Sequence, residues 1–553
     1  MTLRWLTLIA LLLILPPALF PQAAKRDKSL VVHWPLAGDS NDTSGNGHHA
    51  LNCGVDLKAA GPDGKPGGAA GFDGRGAHLE ISAKKPITLD RGDFTFSCHA
   101  YLERDLDGVS GDLASQYDPV RRKGFYLAIK SNAVTTSQAN ARHLQFGIDN
   151  GKESAWLDCG RPGKAILAFA LAVHDGHLYA GTCEPGKTDS GRVYRYGGDN
   201  RWIDCGAPSL CNTVTALAVY DGKLHAAVGK YRLAGSALKE SENLNLGGRV
   251  YRYDGGTKWI DCGQLPDTEA IGGLAVYRGK LYASSLYKPA GFYRYDGDAK
   301  WTDCGVPNGK RVEALAVFDG FLYASSYDGG RVYRYDGKTW TDCGQLGDST
   351  QTYSFVAYHG QLHVGTWPNG RVYRFEEVGR WKDMGRLGQE KEVMGMVVHN
   401  GRLLAGTLPL AEVFQFEGED RWKKLARLDL TPDVTYRRAW TAAEHQGRVY
   451  FSTLPSGHIY SFAAGKTAAW DHDLPTGWHY IAAVKRAGQL ELYVDGKRVA
   501  VSEPFEPGDY NLNTEAPLRI GAGSSDFFRG RLRDVRLHQR SLSDMEIRAL
   551  ARP

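Results

Sequence analysis

Short apolar runs alternate with polar, glycine-bearing turns through the middle of the chain. Each unit follows one order. After W-x-D-C-G comes a variable loop, then an apolar run such as ALAVY (Ala216–Tyr220) or ALAVF (Ala314–Phe318). A turn follows: YDGK, YRGK, FDGF, YHGQ or HNGR. Then come LYASS or LHVGT, a loop, RVYRY, and the next tryptophan. Apolar runs this short, bounded by turn residues, read as strands. The tryptophans stand 39 to 57 residues apart, mostly near 41. Four short strands at that period predict β-propeller blades. Trp156 precedes the first complete set, so the outer strand of the last blade is expected from the start of the domain. Trp470, in AAWDHDL, is the alternative closing strand. The expectation is a seven-bladed propeller over residues 155–466.

Alternate residues of a strand share a face. In W-x-D-C-G, Trp and Asp therefore share one face and Cys takes the other. Five units carry both the second arginine of RVYRY and the Asp: Arg195/Asp204, Arg252/Asp261, Arg294/Asp303, Arg334/Asp342 and Arg374/Asp383. The sixth has Gln415 and Lys424 instead. This predicts a cross-strand Arg–Asp pair in each blade, worth about 3–5 kcal/mol to break if buried. The seventh keeps Asp158 but has Ser461 at the arginine position, which fits less well. The cysteines at 159, 205, 262, 304 and 343 give way to Met384 and Leu425. A metal ligand or disulfide would not be exchanged for these residues, whereas a small packing hydrophobe would. Cys53, Cys98, Cys183 and Cys211 remain; Cys183–Cys211 and Cys53–Cys98 are candidate bridges, though spacing does not fix connectivity.

The flanks do not fit the repeat. Residues 30–154 and 467–550 each give alternating strands with Gly, Asp and Asn turns, and the second ends in a short helix that Ser543 and Glu546 would cap. Their motifs run D-x-S-G-N-G (Asp42 to Gly47), F-D-G (Phe72 to Gly74), F-T-F-S (Phe94 to Ser97), G-W-H-Y-I-A-A-V from Gly477, L-Y-V-D-G-K from Leu492, and a G-R-L-R-D-V-R-L ending. In this order they resemble the LamG-like jelly-roll family, of the concanavalin A-like lectin/glucanase fold. The resemblance implies one jelly roll interrupted by the propeller, and thus an all-β chain. It also implies glycan or protein binding, and in some members Ca²⁺. Asp39 and Asp42, with Asp534 joining them, would suit calcium as hard oxygen ligands. The alternative is an Asx/Gly turn that needs no metal.

Net charge is +5 with no basic block, which argues against nucleic acid. Residues 1–24 read as a signal peptide: Arg4, an apolar run from Leu6 to Leu15, prolines, and cleavage after Ala24. An uncleaved anchor is the alternative. No later stretch is apolar for long enough to span a bilayer. The mature chain is expected to be secreted or periplasmic. On the propeller's loop face the sequence places Tyr287, Tyr327, Tyr353, Trp367, Tyr436, Arg437, Arg438 and Trp440. Aromatic faces stack on sugars and arginines hold carboxylates or sulfates; plain packing is the alternative. The insert from Lys230 to Gly248 would cover part of this face. Asp267, Glu269 and Glu313 are the carboxylates a glycosidase could use there. No G-x-S-x-G, H-E-x-x-H or P-loop occurs. YDGKTW (Tyr335–Trp340) lacks one residue of a sialidase Asp box and reads as blade architecture. The expected function is non-catalytic recognition of a glycan or extracellular protein. The alternatives are a carbohydrate-active hydrolase or lyase with its site in the propeller funnel, and a structural interaction module.

Overall fold

The computed structural model describes residues 27–81, 87–103, 110–133 and 138–552. The leader and its expected cleavage site lie outside them. Among the described residues the only α-helix is Asp544–Leu550. There the Ser543 side chain accepts from the Glu546 N–H while Glu546 reaches back to the Ser543 N–H. These bonds meet donors that a helix start leaves open.

Two sheets draw strands from both ends of the chain. One runs in the order Asp56–Ala59, Ala69–Asp73, Arg529–His538, Phe94–Leu102, Gly477–Arg486, Gln489–Val494, Lys497–Val501. The other includes His78–Ile81, Gly111–Asp118, Lys123–Ala133 and Gln138–Glu153. Alternate residues of F-T-F-S-C, namely Phe94, Phe96 and Cys98, enter a core shared with Phe125 and Phe146 of the second sheet. Ile547 of the helix and Leu542 just before its cap pack over Tyr480, Ala482, Val484 and Tyr493 on the first sheet's outer face.

Propeller-like sheets fill residues 157–462. Five sheets lie wholly within this region, not the seven expected. Four have four strands each. The fifth has eight, because Cys183 pairs with Thr213 and joins two neighbouring runs. A further four-stranded run, 271–303, is continuous with a jelly-roll sheet through one parallel pair, Ala275 with Gln138. Sequence period counts the repeated units, whereas single hydrogen-bonded pairs between neighbours decide how they merge. Leu157–Asp158 pairs with Ile459–Phe462, so a strand from the start of the region closes the ring. Trp470 instead lies on Ala464–Trp470, beside Gln138–Glu153 of the jelly roll.

W-x-D-C-G is the mortar between repeats. The Trp202 indole donates to the Cys159 carbonyl at 2.9 Å, Trp259 to Cys205 at 2.8 Å, Trp301 to Cys262 at 2.8 Å and Trp381 to Cys343 at 2.7 Å. Each cysteine side chain turns into the inter-repeat core, Cys304 less deeply than the others. All nine cysteines are free, so neither expected disulfide forms. Cys98 lies in the jelly-roll core and Cys53 ends a strand of the opposite sheet, paired with His78. Cys183 and Cys211 belong to different apolar clusters.

The expected Arg–Asp ladder exists with a different arginine. The first arginine of the R-x-Y-x-Y pattern makes the pair: Arg192–Asp204 at 2.7 Å, Arg249–Asp261 at 2.5 Å, Arg331–Asp342 at 2.8 Å and Arg371–Asp383 at 2.6 Å. Asp342 stands opposite Tyr333, on the face of Arg331; Arg334 stands opposite Thr341. In the sixth unit the pair is inverted rather than lost, as Glu412 with Lys424 at 3.1 Å. In the seventh, His458 takes the basic place and meets Asp158 at 2.9 Å. Arg294 instead meets Asp296 at 2.8 Å. The pairs are also not buried: the Arg331 and Asp342 side chains are 36% and 33% exposed. Such pairs contribute about 0–1 kcal/mol, well below the figure for a buried pair.

The glycine turns of the repeats form the docking face for the jelly roll. His359 and Gly360 donate backbone N–H groups to the Ser525 carbonyl (3.1 Å) and Asp526 Oδ1 (2.6 Å). Asn400 reaches Asp149 at 2.5 Å, and Arg402 meets Glu153 at 2.7 Å. Gly176 and Gln446 both bond to Asp471, at 2.9 and 2.7 Å. At the hub, Lys130 of the jelly roll donates to the Val398 carbonyl at 2.7 Å and pairs with half-buried Glu444, which His399 also meets at 2.7 Å.

Candidate functional site

The opposite face of the ring carries the aromatic cluster. Innermost strands contribute Phe169, Tyr353, Met394 and Trp440; Trp367 ends a second strand, and Tyr287 and Tyr327 lie in the loops after second strands. The structure thus brings together five of the eight loop-face residues in one cluster. Tyr436 joins its edge, with its ring centre 6.3 Å from that of Trp367 in a T-shaped contact. Tyr353 and Trp440 are buried, whereas Tyr287, Tyr327, Trp367 and Tyr436 are half-buried and form the accessible rim.

The insert covers the centre. Tyr231 and Leu233 pack into the cluster, with Tyr231 against Phe169 (5.0 Å between ring centres) and Trp440 (6.1 Å). Ser236 donates to or accepts from Tyr231 at 2.7 Å and accepts from Arg438 at 2.7 Å. Sequence reasoning identified the insert but not Tyr231, Leu233 and Ser236 as the residues that fill the funnel. Their signal was partial: Tyr231 is the insert's one aromatic residue, but Leu233 is one of four leucines there.

The arginines on this face are already engaged. Arg438 is buried and bound to buried Glu392 at 3.0 Å. Arg437 donates to the Thr431 and Val434 carbonyls at 2.6 and 3.2 Å. Arg232, which sequence reasoning did not single out, stacks on the Tyr287 ring at 4.4 Å and pairs with Glu269 at 2.6 Å. Arg311 grips Asp328 at 2.7 Å and lies over Tyr327 at 5.9 Å. The expected arginine contacts to a carboxylate or sulfate ligand are therefore taken by the protein's own acids and carbonyls.

The carboxylates considered for catalysis have separate surroundings. Glu269 serves Arg232. Glu313 is buried and accepts from the Tyr327 hydroxyl at 2.6 Å, while its Oε2 has no partner among the described residues. Burial pushes its carboxyl up to about 8, a shift the Tyr327 bond only partly offsets. Asp267 sits in a turn with positive φ.

The candidate calcium ligands are filled by hydrogen-bond donors. Asp42 accepts from the N–H groups of His33 (3.1 Å), Ser44 (2.8 Å) and His48 (2.9 Å). Asp39 accepts from the Asn41 backbone and side chain at 3.0 and 2.8 Å. Asp534 binds His33 at 2.7 Å and Arg536 at 2.9 Å. These contacts hold its carboxyl at about 2 although burial works to raise it. Donors that point at every carboxylate suit a turn scaffold, not a cation. Among the described residues no three His, Cys, Asp or Glu side chains are grouped to hold a metal.

Residues 426–548 match the model of the concanavalin A-like lectin/glucanases superfamily, which is less than half of the chain. No curated protein matches the sequence. Among solved structures the chain is similar to a catalytically inactive virginiamycin B lyase from Staphylococcus aureus with quinupristin. That likeness has 10% identity and a TM-score of 0.45, over 56% of this chain and 99% of the other. The extracellular domain of the BT4673 hybrid two component system from B. thetaiotaomicron is similar at 12% identity and a TM-score of 0.42, over 63% of this chain and 47% of that one. BamB from Moraxella catarrhalis is similar at 13% identity and a TM-score of 0.35, over 67% and 97%. None of these likenesses carries an activity across. No helix among the described residues is long and apolar enough to cross a membrane.

Proposed function

We propose that this is a non-catalytic binding protein, exported through its leader, that recognises a neutral glycan through the aromatic face of the propeller. The carrying observation is the rim of half-buried rings, Tyr287, Tyr327, Trp367 and Tyr436, around a packed hub whose arginines are already neutralised. Flat, partly dry rings offer stacking surface to a sugar, and the absence of spare guanidinium groups favours an uncharged ligand over an anionic one. The lectin/glucanase-type match at 426–548 supports a binding or interaction module. A hydrolase or lyase in the funnel has less support, because Tyr231, Leu233 and Ser236 occupy it. Calcium has no part in this reading.

The test is a polysaccharide pull-down and glycan array with the mature chain, with the bound material recovered and sized. Neutral glycans are expected to bind, at unchanged length, with or without EDTA. Two stacked rings at about 0.5–1.5 kcal/mol each predict roughly tenfold weaker binding for Trp367→Ala/Tyr436→Ala. Shortened products would replace this reading with an enzyme. Binding indifferent to both substitutions would move the site off this face.

A further inference from the structure

The jelly roll does not seal the propeller's near face all the way round. A cleft of about 690 Å³ remains between the jelly-roll segments at Asp73–Arg75 and Arg529 and the ring's Tyr277–Arg278 and Phe318–Gly320. That volume lies within the range of small-ligand sites, which concentrate at domain junctions.

Its acids and bases are balanced in number but not in hydrogen bonding. Asp319 holds the Arg75 guanidinium. Asp73 accepts three backbone N–H groups, from Arg75, Gly76 and Ala77, at 2.8 to 3.1 Å. Glu376 is bound by Arg374 at 3.2 Å and Arg380 at 3.1 Å. Asp526 accepts from Gly360 and Phe527 at 2.6 and 2.9 Å. Each carboxylate is thus engaged from within the protein, Asp73, Asp319 and Asp526 through Oδ1 and Glu376 through both oxygens. Arg334 and Arg529 also line the cleft, and neither makes an ion pair among the described residues. The Arg334 guanidinium lies 4.3 Å from the Phe321 ring centre, and its buried Nε has no hydrogen-bond partner there. On the cation side the cleft has donor capacity left over on Arg529, and on Arg334 beyond its bond to the Tyr323 hydroxyl. Beside it, the half-buried rings of Phe318 and Phe375 line the ring wall.

We propose that this cleft is a second binding site, distinct from the aromatic face, for a small saccharide that carries a carboxylate or a sulfate. Its oxyanion meets Arg334 and Arg529, and a sugar face rests on Phe318 or Phe375. Guanidinium groups pair planar oxyanions through two parallel hydrogen bonds, which gives direction as well as charge. Aromatic walls supply the sequence-tolerant stacking that a sugar ring accepts.

The experiment is calorimetric titration of the full mature chain with tri-galacturonate, a sulfated oligosaccharide of like length, and a neutral one. The expected result is saturable binding of a charged ligand, little of the neutral one, and weakening in higher salt. Carboxylate against sulfate preference then identifies the anion. Arg334→Gln and Arg529→Gln are each expected to weaken that binding at least tenfold. Arg529 is exposed, so its variant keeps the test sound if Arg334→Gln perturbs the blade. Trp367→Ala, on the opposite face, is expected to leave this binding intact, which separates the two sites. Binding of no charged ligand, equal binding of the neutral one, or unchanged affinity in both arginine variants would each overturn the proposal.

Discussion

The repeated aspartate is a turn residue first and an ion-pair partner second. Its Oδ1 accepts the N–H of the glycine two residues on, at 2.7 to 2.8 Å in six units from Asp158–Gly160 to Asp383–Gly385. That glycine has positive φ, and in five of the six units the next repeat's turn packs onto it, Gly305 being the exception. At Gly263 φ is 95°, and a Cβ would stand 2.2 Å from the Ala299 carbonyl oxygen. Gly263→Ala is therefore expected to cost at least about 1–3 kcal/mol from backbone strain, with the clash added. A shift of the urea midpoint no larger than that of a surface substitution would count against it. The charged pair is expected to matter less. A double-mutant cycle of Arg331→Met and Asp342→Leu should give a coupling of about 0.2–1 kcal/mol. The same cycle with Arg334→Met in place of Arg331→Met should give none, because Arg334 faces the other way.

At the scale of elements, that phase error shows what alternation can and cannot tell. Strand identity, the four-strand period, the inward cysteines and the helix cap were legible, since each rests on local chemistry. Which arginine meets Asp342 depends on register, and the hairpin turn sets it by placing Tyr335 opposite Trp340. One residue of slip changes every partner. The merging of sheets was equally hidden, because single pairs such as Cys183 with Thr213 leave no periodic trace. The buried charge pair that sequence sought in the ladder lies instead at the funnel, as Arg438 with Glu392 beneath Ser236. Arg438→Met would leave Glu392 buried without its cation, at an expected cost of about 3–5 kcal/mol. Adding Glu392→Met should recover much of the loss. The comparison is by denaturant unfolding of the two single variants and the double. A double variant as unstable as the sum of the singles would show that the two side chains act independently.

Across the whole molecule, sequence separated the aromatic face from the rest but could not show that its arginines were spent, or that a cleft opens on the other side. Both depend on contacts between separate loops and strands, as with Arg438 and Glu392 at the funnel and with Arg75 and Asp319, far apart in the chain, at the cleft. The same docking face carries a pH signature. Burial pushes Asp526 up to about 7, and burial with the neighbouring Asp526 charge does the same to Asp112. Between about pH 4 and 7 the folded protein thus holds protons that the unfolded chain has released. Stability from this pair is full at the acid end of that window and is lost as pH rises through it. The buried histidines work in the opposite sense. Burial lowers His359, at the same contact, to about 4 and His143 to about 3, so their contribution is lost as pH falls below their ordinary value of 6.5. The net profile of the wild-type chain therefore mixes two trends, and a single variant can separate them. Asp526→Asn keeps an oxygen for the Gly360 and Phe527 N–H groups and imitates the protonated acid. The histidine terms are common to both proteins and cancel in the difference. The variant is expected to melt at or below the wild type at pH 5 and above it at pH 8, with the gap opening between. A gap that stayed constant with pH would mean that Asp526 ionises in the folded state at no cost, and that its contact with the propeller does not sense pH.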